Sequence, residues 1–442
     1  MKIKRILSAA LIVLLIGLQI GMVVWAEEEE RIKQESFDTQ PDTNGLPNWP
    51  TGPNVHAHAA IVLDINSRAI VYAKNINEVF YPASITKYLT ALIALENAEL
   101  EDIIYMSEES VFSVDWGYAH IGMKPEEELT LEDALYALLL ASANEVAYAI
   151  AENVGTAMGG DYDTFIQAMN DRAVELGAIN SRWQNASGVH AENHYTTAYD
   201  MALITAAFHQ RPEYQQFLEV LEHTIEPTEL TEEERNLFQN HQMLWEENPH
   251  FYEYADGGKT GFTNQAGTTL VTTADNGELQ FVAVVLHDYG VEAYNGTRAM
   301  LDYAFDNFSK VSLIENDQGE DIETFHDPEA YILLPDTVTF AEVEREFILT
   351  NGKQAQAIYT YHGQVVGVTE VTLSHIYFER VAAAEAEELA AAEQEQASRP
   401  VEEATNESNP ILLVVAVILA ILLGLLIIVN IIMQRKRRQR KE

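Results

Sequence analysis

The segment Thr130 to Ala151, with its run ALYALLLASANEVAYAIA, limits the fold more than any other part of the chain. It is apolar nearly all round, so as a helix it has no face suited to water. It has to lie inside, with other elements wrapped about it. Thr130 and Asp133 fit a capping box at its start, and the apolar pattern carries the helix through Ala151.

The neighbouring patterns indicate what does the wrapping. AAIVLDINSRAIVYAKN, from Ala59 to Asn75, reads as two short strands turning at Asn66-Ser67. A helix opens near Ser84 and runs through SITKYLTALIALENA, and another covers about Asp163 to Leu176. Strands return at Gly267 to Thr273 and Leu279 to His287, joined at Asp275-Asn276-Gly277, and the helix GTRAMLDYAFDNFSK follows. Strands, helices and strands again describe an α+β domain, a helical cluster packed on an antiparallel sheet. After Lys310 the pieces AYILLP, TVTFAEV, EREFILT, QAIYTYH and QVVGVTEVTL suggest a small all-β domain. An Ala/Glu-rich acidic stalk comes next. The polar, proline-bearing stretch from Glu27 to Asn54 shows no periodicity and reads as a flexible leader.

The ends carry targeting signals. Met1 to Arg5 is basic, Ile6 to Trp25 is apolar, and Ala26 precedes a run of glutamates, the pattern of a secretory signal peptide. Ile411 to Met433 is an uncharged apolar run of 23 residues, enough to cross a hydrocarbon core of about 30 Å as one transmembrane helix. The cations from Arg435 to Lys441 then mark the cytoplasmic side. The expected location is the cell membrane, single-pass, with the bulk of the chain extracytoplasmic. Between the signals, Glu27 to Asn409 holds 17 Lys plus Arg against 68 Asp plus Glu. So negative a field excludes nucleic acid as a partner. The absence of cysteine excludes disulfides and thiolate chemistry. Only seven lysines fall in this part, so their positions carry information.

Two of the seven lie in an ordered set of motifs: Ser84-Ile85-Thr86-Lys87, Ser142-Ala143-Asn144 and Lys259-Thr260-Gly261. At a helix start, residues three apart share a face, so the Lys87 ammonium sits beside the Ser84 hydroxyl. Partial desolvation lowers its proton affinity, which lets it take the hydroxyl proton. The helix start also aims backbone N–H groups at a developing oxyanion. Ser142 can pass a proton to a leaving amine, and Asn144 can hold a peptide amide. Lys259 and Thr260 on a sheet edge can bind a carboxylate, and Gly261 lets a substrate backbone approach. His56 with His58, and His190 with His194, have ligand-like spacings, but no H-E-x-x-H motif accompanies them. We read these as loop and strand histidines and expect no metal and no cofactor. Trp116, Trp183 and Trp245 read as core or cleft-wall aromatics.

This order of motifs is that of penicillin-binding proteins and class A β-lactamases. The wider stretches YPASITKYLTALIALE, ASANEVAYAIAENVG, FIQAMNDRAVELGA, QNASGVHAENHYTTAYDMALI and GGKTGFTNQAGTTLV resemble the low-molecular-weight D-alanyl-D-alanine carboxypeptidases, a family of serine peptidases. The resemblance covers about Val55 to Lys310 and implies a β-lactamase/transpeptidase-like fold. It implies that Ser84 is acylated by the penultimate D-alanine of a peptidoglycan stem peptide. It also implies an oxyanion hole from the backbone N–H groups of Ser84 and Phe262, carboxylate binding by Lys259 and Thr260, and acylation of Ser84 by β-lactam antibiotics as inhibitors. The chain departs from the family in having a full span and stalk in place of an amphipathic C-terminal helix. It also has Val189 where Leu is common.

These readings divide the chain into a signal peptide (1–26), a flexible acidic leader (27–54), a D,D-peptidase domain (55–310), a small β domain (311–378), an acidic stalk (379–410), a transmembrane helix (411–433) and a basic cytoplasmic tail (434–442). Other functions stay open on sequence. One is a D,D-endopeptidase or transpeptidase with the same nucleophile, because cleft shape chooses the acceptor. Another is a catalytically idle cell-wall binding protein, which the intact motif residues disfavour. A β-lactamase would want the compact E-x-x-L-N arrangement, whereas Glu175-Leu176 is followed by Asn180.

Overall fold

The computed structural model describes residues 27–115 and 117–398. The signal-like segment, Trp116, the end of the stalk, the run Ile411 to Met433 and the basic tail lie outside the described residues. The described chain up to Ser374 forms one compact unit, and a second begins at His375.

The chain opens on helix α1 (27–38), followed by a 3-10 turn at Asp42–Gly45. A flexible leader was expected here, and the structure differs: Ser36, Thr43 and Trp49 are buried. The cause lies in the hairpin beneath, formed by β1 (Ala59–Asp64) and β2 (Ile70–Lys74). Lys74 is fully buried, and its ammonium donates to the carbonyls of Ser36 (2.6 Å) and Val55 (2.8 Å). A buried cation without acceptors is costly, so the polar leader is held in place by a need of the core.

A 3-10 turn at Ala83–Thr86 leads into α2 (Lys87–Asn97), so the regular helix starts three residues after Ser84. The pair β3 (Ile103–Tyr105) and β4 (Glu128–Thr130) brackets the short α3 (Glu108–Phe112). The expected single helix over Thr130 to Ala151 is instead two, α4 (Leu131–Leu139) and α5 (Asn144–Ala157). Thr130 caps α4 as anticipated, its hydroxyl accepting from the Asp133 N–H at 3.1 Å. The chain then breaks at Ser142, which has φ +59°. Residues distant in sequence hold the break open: Asn240 Nδ2 donates to the Leu140 carbonyl (3.0 Å), and the Asn144 N–H donates to the Ala119 carbonyl (3.0 Å). The most enclosed helix is therefore α2. It is buried without interruption from Lys87 to Leu95 and packed by α4, α5, α6 (Tyr162–Glu175) and α7 (Ala198–His209).

Beyond α8 (Tyr214–Leu218) and the pair β5 (Glu222–Ile225) and β6 (Arg235–Phe238), the chain forms β7 (Ala255–Thr263), β8 (Gly267–Asp275) and β9 (Gln280–Asp288). With the first hairpin they make an antiparallel sheet in the order β2-β1-β9-β8-β7. The two-residue period sends Ile61, Leu63, Val282 and Val284 into the helical core. The alternate face is covered by α9 (Glu292–Asn307), where Phe305 packs on Phe281 with ring centroids 5.0 Å apart. The sheet thus has helices on both faces, and β7 is an edge.

β10 (Phe308–Ser312) is followed by the one-turn α10 (Leu313–Asn316), β11 (Ile322–Phe325) and β12 (Tyr331–Pro335), which pairs with β10. Next come β13 (Glu344–Asn351), β14 (Gln354–Tyr361) and β15 (Gln364–Leu373), in a sheet ordered β11-β15-β14-β13. These strands are stitched to the first hairpin: the Val368 N–H donates to the Ser67 carbonyl (2.7 Å), and Tyr331 OH donates to buried Asp64 (2.9 Å). The second unit contains α11 (His375–Ser398). Among the described residues no helix is long and apolar enough to cross a membrane.

Candidate active site

Ser84 sits in the 3-10 turn ahead of α2, and the turn is held from three sides. Ala83 adopts φ +51°, a left-handed conformation unusual for a residue with a Cβ. Its carbonyl accepts from Thr86 Oγ1 (2.8 Å). His194 completes that link. Its Nδ1 accepts from the Gln184 N–H (3.1 Å), which places the ring proton on Nε2, facing Thr86 Oγ1 at 2.9 Å. Burial pushes His194 down to about 3, so the ring is neutral. From β8, Thr269 Oγ1 donates to the Pro82 carbonyl (2.8 Å). On the remaining side Gly188, at φ +83°, lies so close that a Cβ there would come 1.8 Å from the Ala83 carbonyl oxygen.

Lys87 is one helical turn on, fully buried. Its Nζ lies 3.0 Å from Ser84 Oγ, 2.9 Å from Asn144 Oδ1 and 2.6 Å from the Ser187 carbonyl oxygen. Desolvation lowers its proton affinity well below that of a free lysine, the Lys259 charge adds to this, and Glu145 opposes it. A neutral amine has two N–H groups and one lone pair. The two carbonyl-type oxygens take the N–H groups, leaving the lone pair for the Ser84 hydroxyl. The helix break described above serves this arrangement, because Asn144 opens α5 and Ser142 turns into the cleft. Asn144 is itself fixed by its Nδ2, which donates to the Ala119 carbonyl at 2.8 Å.

The third motif lies on edge strand β7, facing the turn. A Cβ on Gly261 would stand 2.9 Å from the Ser84 backbone nitrogen and 2.4 Å from Thr269 Oγ1, so only glycine permits this approach. A cleft of about 450 Å³ joins the parts: Ser84, Ser142, Asn144, Thr260, Gly261 and Phe262 line it, together with Tyr118, Asn240 and Gln242. Lys87 and Lys259 stand behind this wall. Lys259 is buried, its Nζ bonds the Thr260 carbonyl (3.0 Å), and desolvation pushes it down to about 7. Phe262 is 65% exposed and lines the cleft beside Gly261.

All eight residues expected from the motifs thus gather around one cleft, six on its surface and two lysines beneath. Among the described residues the lining contains no carboxylate. Glu175 is exposed on α6 and paired with Arg172 (3.1 Å), where it cannot hold a water at Ser84. Sequence reasoning missed the supports: Thr269, His194, Asn240 and the Ser187 carbonyl. The turn-forming string Asn185-Ala186-Ser187-Gly188 was the one local signal among them. Trp183 is buried and Trp245 is half-buried, its indole N–H donating to the Gln239 carbonyl at 2.8 Å. No group of three or more metal-ligating side chains gathers among the described residues.

Comparison with known proteins agrees with this geometry. Residues 47–290 match the model of the D-alanyl-D-alanine carboxypeptidase family. The chain belongs to this family. D-alanyl-D-alanine carboxypeptidase DacF of Bacillus subtilis is 30% identical over 59% of this chain, and DacC of Escherichia coli is 28% identical over 60%. The matched part spans 65% of the length of each of those relatives. Among solved structures, a D-alanyl-D-alanine carboxypeptidase of Mycobacterium tuberculosis is 26% identical with a TM-score of 0.51, covering 61% of this chain and 96% of that one. Penicillin binding protein 6B of Escherichia coli covers 74% of this chain and 98% of its own, with a TM-score of 0.57 at 21% identity, a likeness of fold. The α+β, transpeptidase-like fold with an antiparallel sheet is thereby established.

Proposed function

We propose that this protein is a serine-type D-alanyl-D-alanine carboxypeptidase that removes the terminal D-alanine from peptidoglycan stem peptides. The observation that carries this reading is the Lys87 amine, buried and bonded to two carbonyl oxygens with its remaining site on Ser84 Oγ. Lys87 takes the hydroxyl proton as Ser84 Oγ bonds to the carbonyl carbon of the penultimate D-alanine. Backbone N–H groups of Ser84 and Phe262 receive the oxyanion. Lys87 passes the hydroxyl proton to Ser142 Oγ as Ser142 delivers its own to the amine nitrogen, so the peptide C–N bond breaks, D-alanine leaves and Lys87 is neutral again. Water then attacks the ester carbonyl and gives a proton to Lys87, which returns it to Ser84 Oγ as the ester C–O bond breaks and the shortened peptide departs. Thr260 meets the terminal carboxylate at the cleft surface, with the Lys259 charge behind it, and Asn144 holds the peptide amide.

β-Lactams fit the same site as acylating inhibitors. Among the described residues the lining holds no carboxylate of the kind that class A β-lactamases use for deacylation, which favours a long-lived penicilloyl ester. We further read residues 1–26 as a signal peptide, 311–378 as a small β domain, 379–410 as a stalk and 411–433 as a membrane span. The catalytic unit then stands on the extracytoplasmic face above a short cytoplasmic tail. The uncharged run and its basic flank support that topology.

The test is to incubate the full-length protein and Ser84→Ala with a stem pentapeptide analogue, with and without an added amine acceptor, and with a fluorescent penicillin. Release of D-alanine and a stable penicillin adduct, both lost in Ser84→Ala, are expected. Peptide transfer to the amine in place of hydrolysis would assign a transpeptidase. Absence of both release and labelling in a folded wild type would reject the enzyme altogether.

A further inference from the structure

An open recess of about 430 Å³ adjoins the active-site cleft and shares Asn240 and Gln242 with it. Trp245, Glu247 and Asn248 line the remainder. The segment that forms it folds back on itself around a 3-10 turn at Gln242–Leu244. The Trp245 indole N–H donates to the Gln239 carbonyl (2.8 Å), the Asn248 N–H to the Trp245 carbonyl (2.9 Å) and the Tyr252 N–H to the Met243 carbonyl (2.9 Å). Arg298 of α9 holds the end of the segment, donating to the His250 carbonyl (3.0 Å). With its backbone fixed in this way the recess exists before any ligand arrives, and little ordering cost is left for binding.

The groups lining it are of a consistent kind. Asn240 is tied through Nδ2 to the Leu140 carbonyl (3.0 Å), and Asn248 through Oδ1 to the His250 N–H (2.9 Å). Their other ends, Asn240 Oδ1 and Asn248 Nδ2, stay available, and so do the Gln242 amide and the exposed Glu247 carboxylate, none of which bonds a described residue. Trp245 is half-buried, and no other aromatic ring among the described residues packs on it. No lysine, arginine or histidine among the described residues lines the recess. Side-chain amides pair with an acetamido group, donor to acceptor and acceptor to donor, and a carboxylate accepts from hydroxyls. An indole adds a flat apolar wall. Together they suit a neutral sugar ring that carries hydroxyl and acetamido groups and has one apolar face. An anionic polymer would meet Glu247 with no cation beside it.

The position of the recess says which sugar it meets. His241 packs so closely on Gly258 that a Cβ there would overlap its ring, so this segment lies beside β7 two residues before Thr260. In the reaction proposed above, on which this step rests, Thr260 receives the terminal carboxylate and the donor peptide extends the other way, past Phe262. The donor therefore ends before the recess, and its own glycan, attached at the far end of the stem, is carried away from it. We propose that the recess binds the N-acetylated amino-sugar units of a second glycan strand, so that the enzyme holds one strand while it trims stem peptides borne by another. Trp245 packs on the sugar ring, the amides of Asn240, Gln242 and Asn248 bond acetamido groups, and Glu247 accepts from hydroxyls.

The experiment titrates the full-length protein in a calorimeter with tetra-N-acetylchitotetraose, a neutral β-1,4-linked tetramer, and with cellotetraose, which has the same linkage without acetamido groups. Saturable binding of the first is expected, with the second about tenfold weaker. Trp245→Ala and Glu247→Gln should each weaken the first by about tenfold. Glu247→Gln should still release D-alanine from a stem pentapeptide analogue at the wild-type rate. No saturable binding to the wild type at millimolar sugar, or binding unaltered by both substitutions, overturns the proposal. If Trp245→Ala fails to fold, the solvent-exposed Glu247→Gln carries the test. Should Glu247→Gln keep its sugar affinity yet slow peptide transfer to an added amine, the recess would belong to an acceptor peptide and the glycan assignment would fall. Sugar binding that responds to both substitutions, in a protein that releases no D-alanine, would uphold the sugar site and refute the proposed reaction, so the two fail separately.

Discussion

Burial drives Lys87 and Lys259 in the same direction, yet the proposed reaction needs them in opposite states. Lys87 has to be neutral to receive a proton, and its enclosure among oxygens favours that form. Lys259 has to be charged to favour a carboxylate at Thr260, and desolvation pushes it down to about 7. Two opposed titrations follow. kcat/KM rises with pH as Lys87 loses its proton, then falls as Lys259 loses its own near pH 7, and kcat/KM reports these groups in the free enzyme. A pH profile on a peptide with a C-terminal carboxylate should show that descending limb, and the same peptide ending in a neutral amide should lack it. Stability gives a second handle. Between about 7 and the ordinary lysine value the unfolded chain binds a proton that folded Lys259 does not, so folding is favoured as pH rises through that window. Lys259→Met should therefore be the more stable protein at pH 6, by about 1–4 kcal/mol. Denaturant titrations should show its advantage shrinking toward pH 10, with substrate turnover lost throughout.

At the scale of elements, the break between α4 and α5 turns a buried apolar stretch into part of an active site. Ser142 occupies φ +59° there, where glycine would be easier by about 1 kcal/mol. Ser142→Gly should hold or slightly raise the thermal midpoint while lowering kcat by about 10²–10⁴-fold through loss of the proton-carrying hydroxyl. Assaying both properties on one preparation separates fold from chemistry. Gly188→Ala should do the reverse of a silent change. Its Cβ would meet the Ala83 carbonyl at 1.8 Å, so the nucleophile turn has to move, and both stability and penicillin labelling should drop. What was legible in the sequence follows the same division. Ser84 with Lys87, and Lys259 with Gly261, could be read because one turn or one strand sets each spacing. The Thr130 to Ala151 segment was misread as one helix because every residue in it suits a helix. The partners that hold it open, Asn240 and Ala119, are remote in sequence. The leader was misread for a similar reason: its polar carbonyls serve Lys74, which no local pattern shows.

Across the whole molecule, the first and last parts of the compact unit are fastened to each other. Trp49 of the leader lies between Phe308 and Tyr361, with ring centroids at 5.1 and 5.9 Å, and Tyr361 OH donates to the Pro47 carbonyl (2.9 Å). Thr337 also bonds the Asn48 carbonyl, and Gln364 Nε2 donates to Ile70 on β2 (3.1 Å). Strands β10 to β15 and the catalytic core should accordingly melt together. Calorimetry is expected to record one main transition for the unit ending at Ser374, and Trp49→Ala should lower it by about 3–5 kcal/mol as a whole. Two separated transitions, with penicillin labelling lost only at the second, would show that the strands fold apart from the core. The clasp also fixes an order in time. Pro47 and Tyr361 are 314 residues apart, and at about 5–20 residues per second the ribosome needs roughly 15–60 s to pass from one to the other. During that interval the leader has emerged but its aromatic partners have not. The nascent chain waits, unfinished, for the last strands that close it.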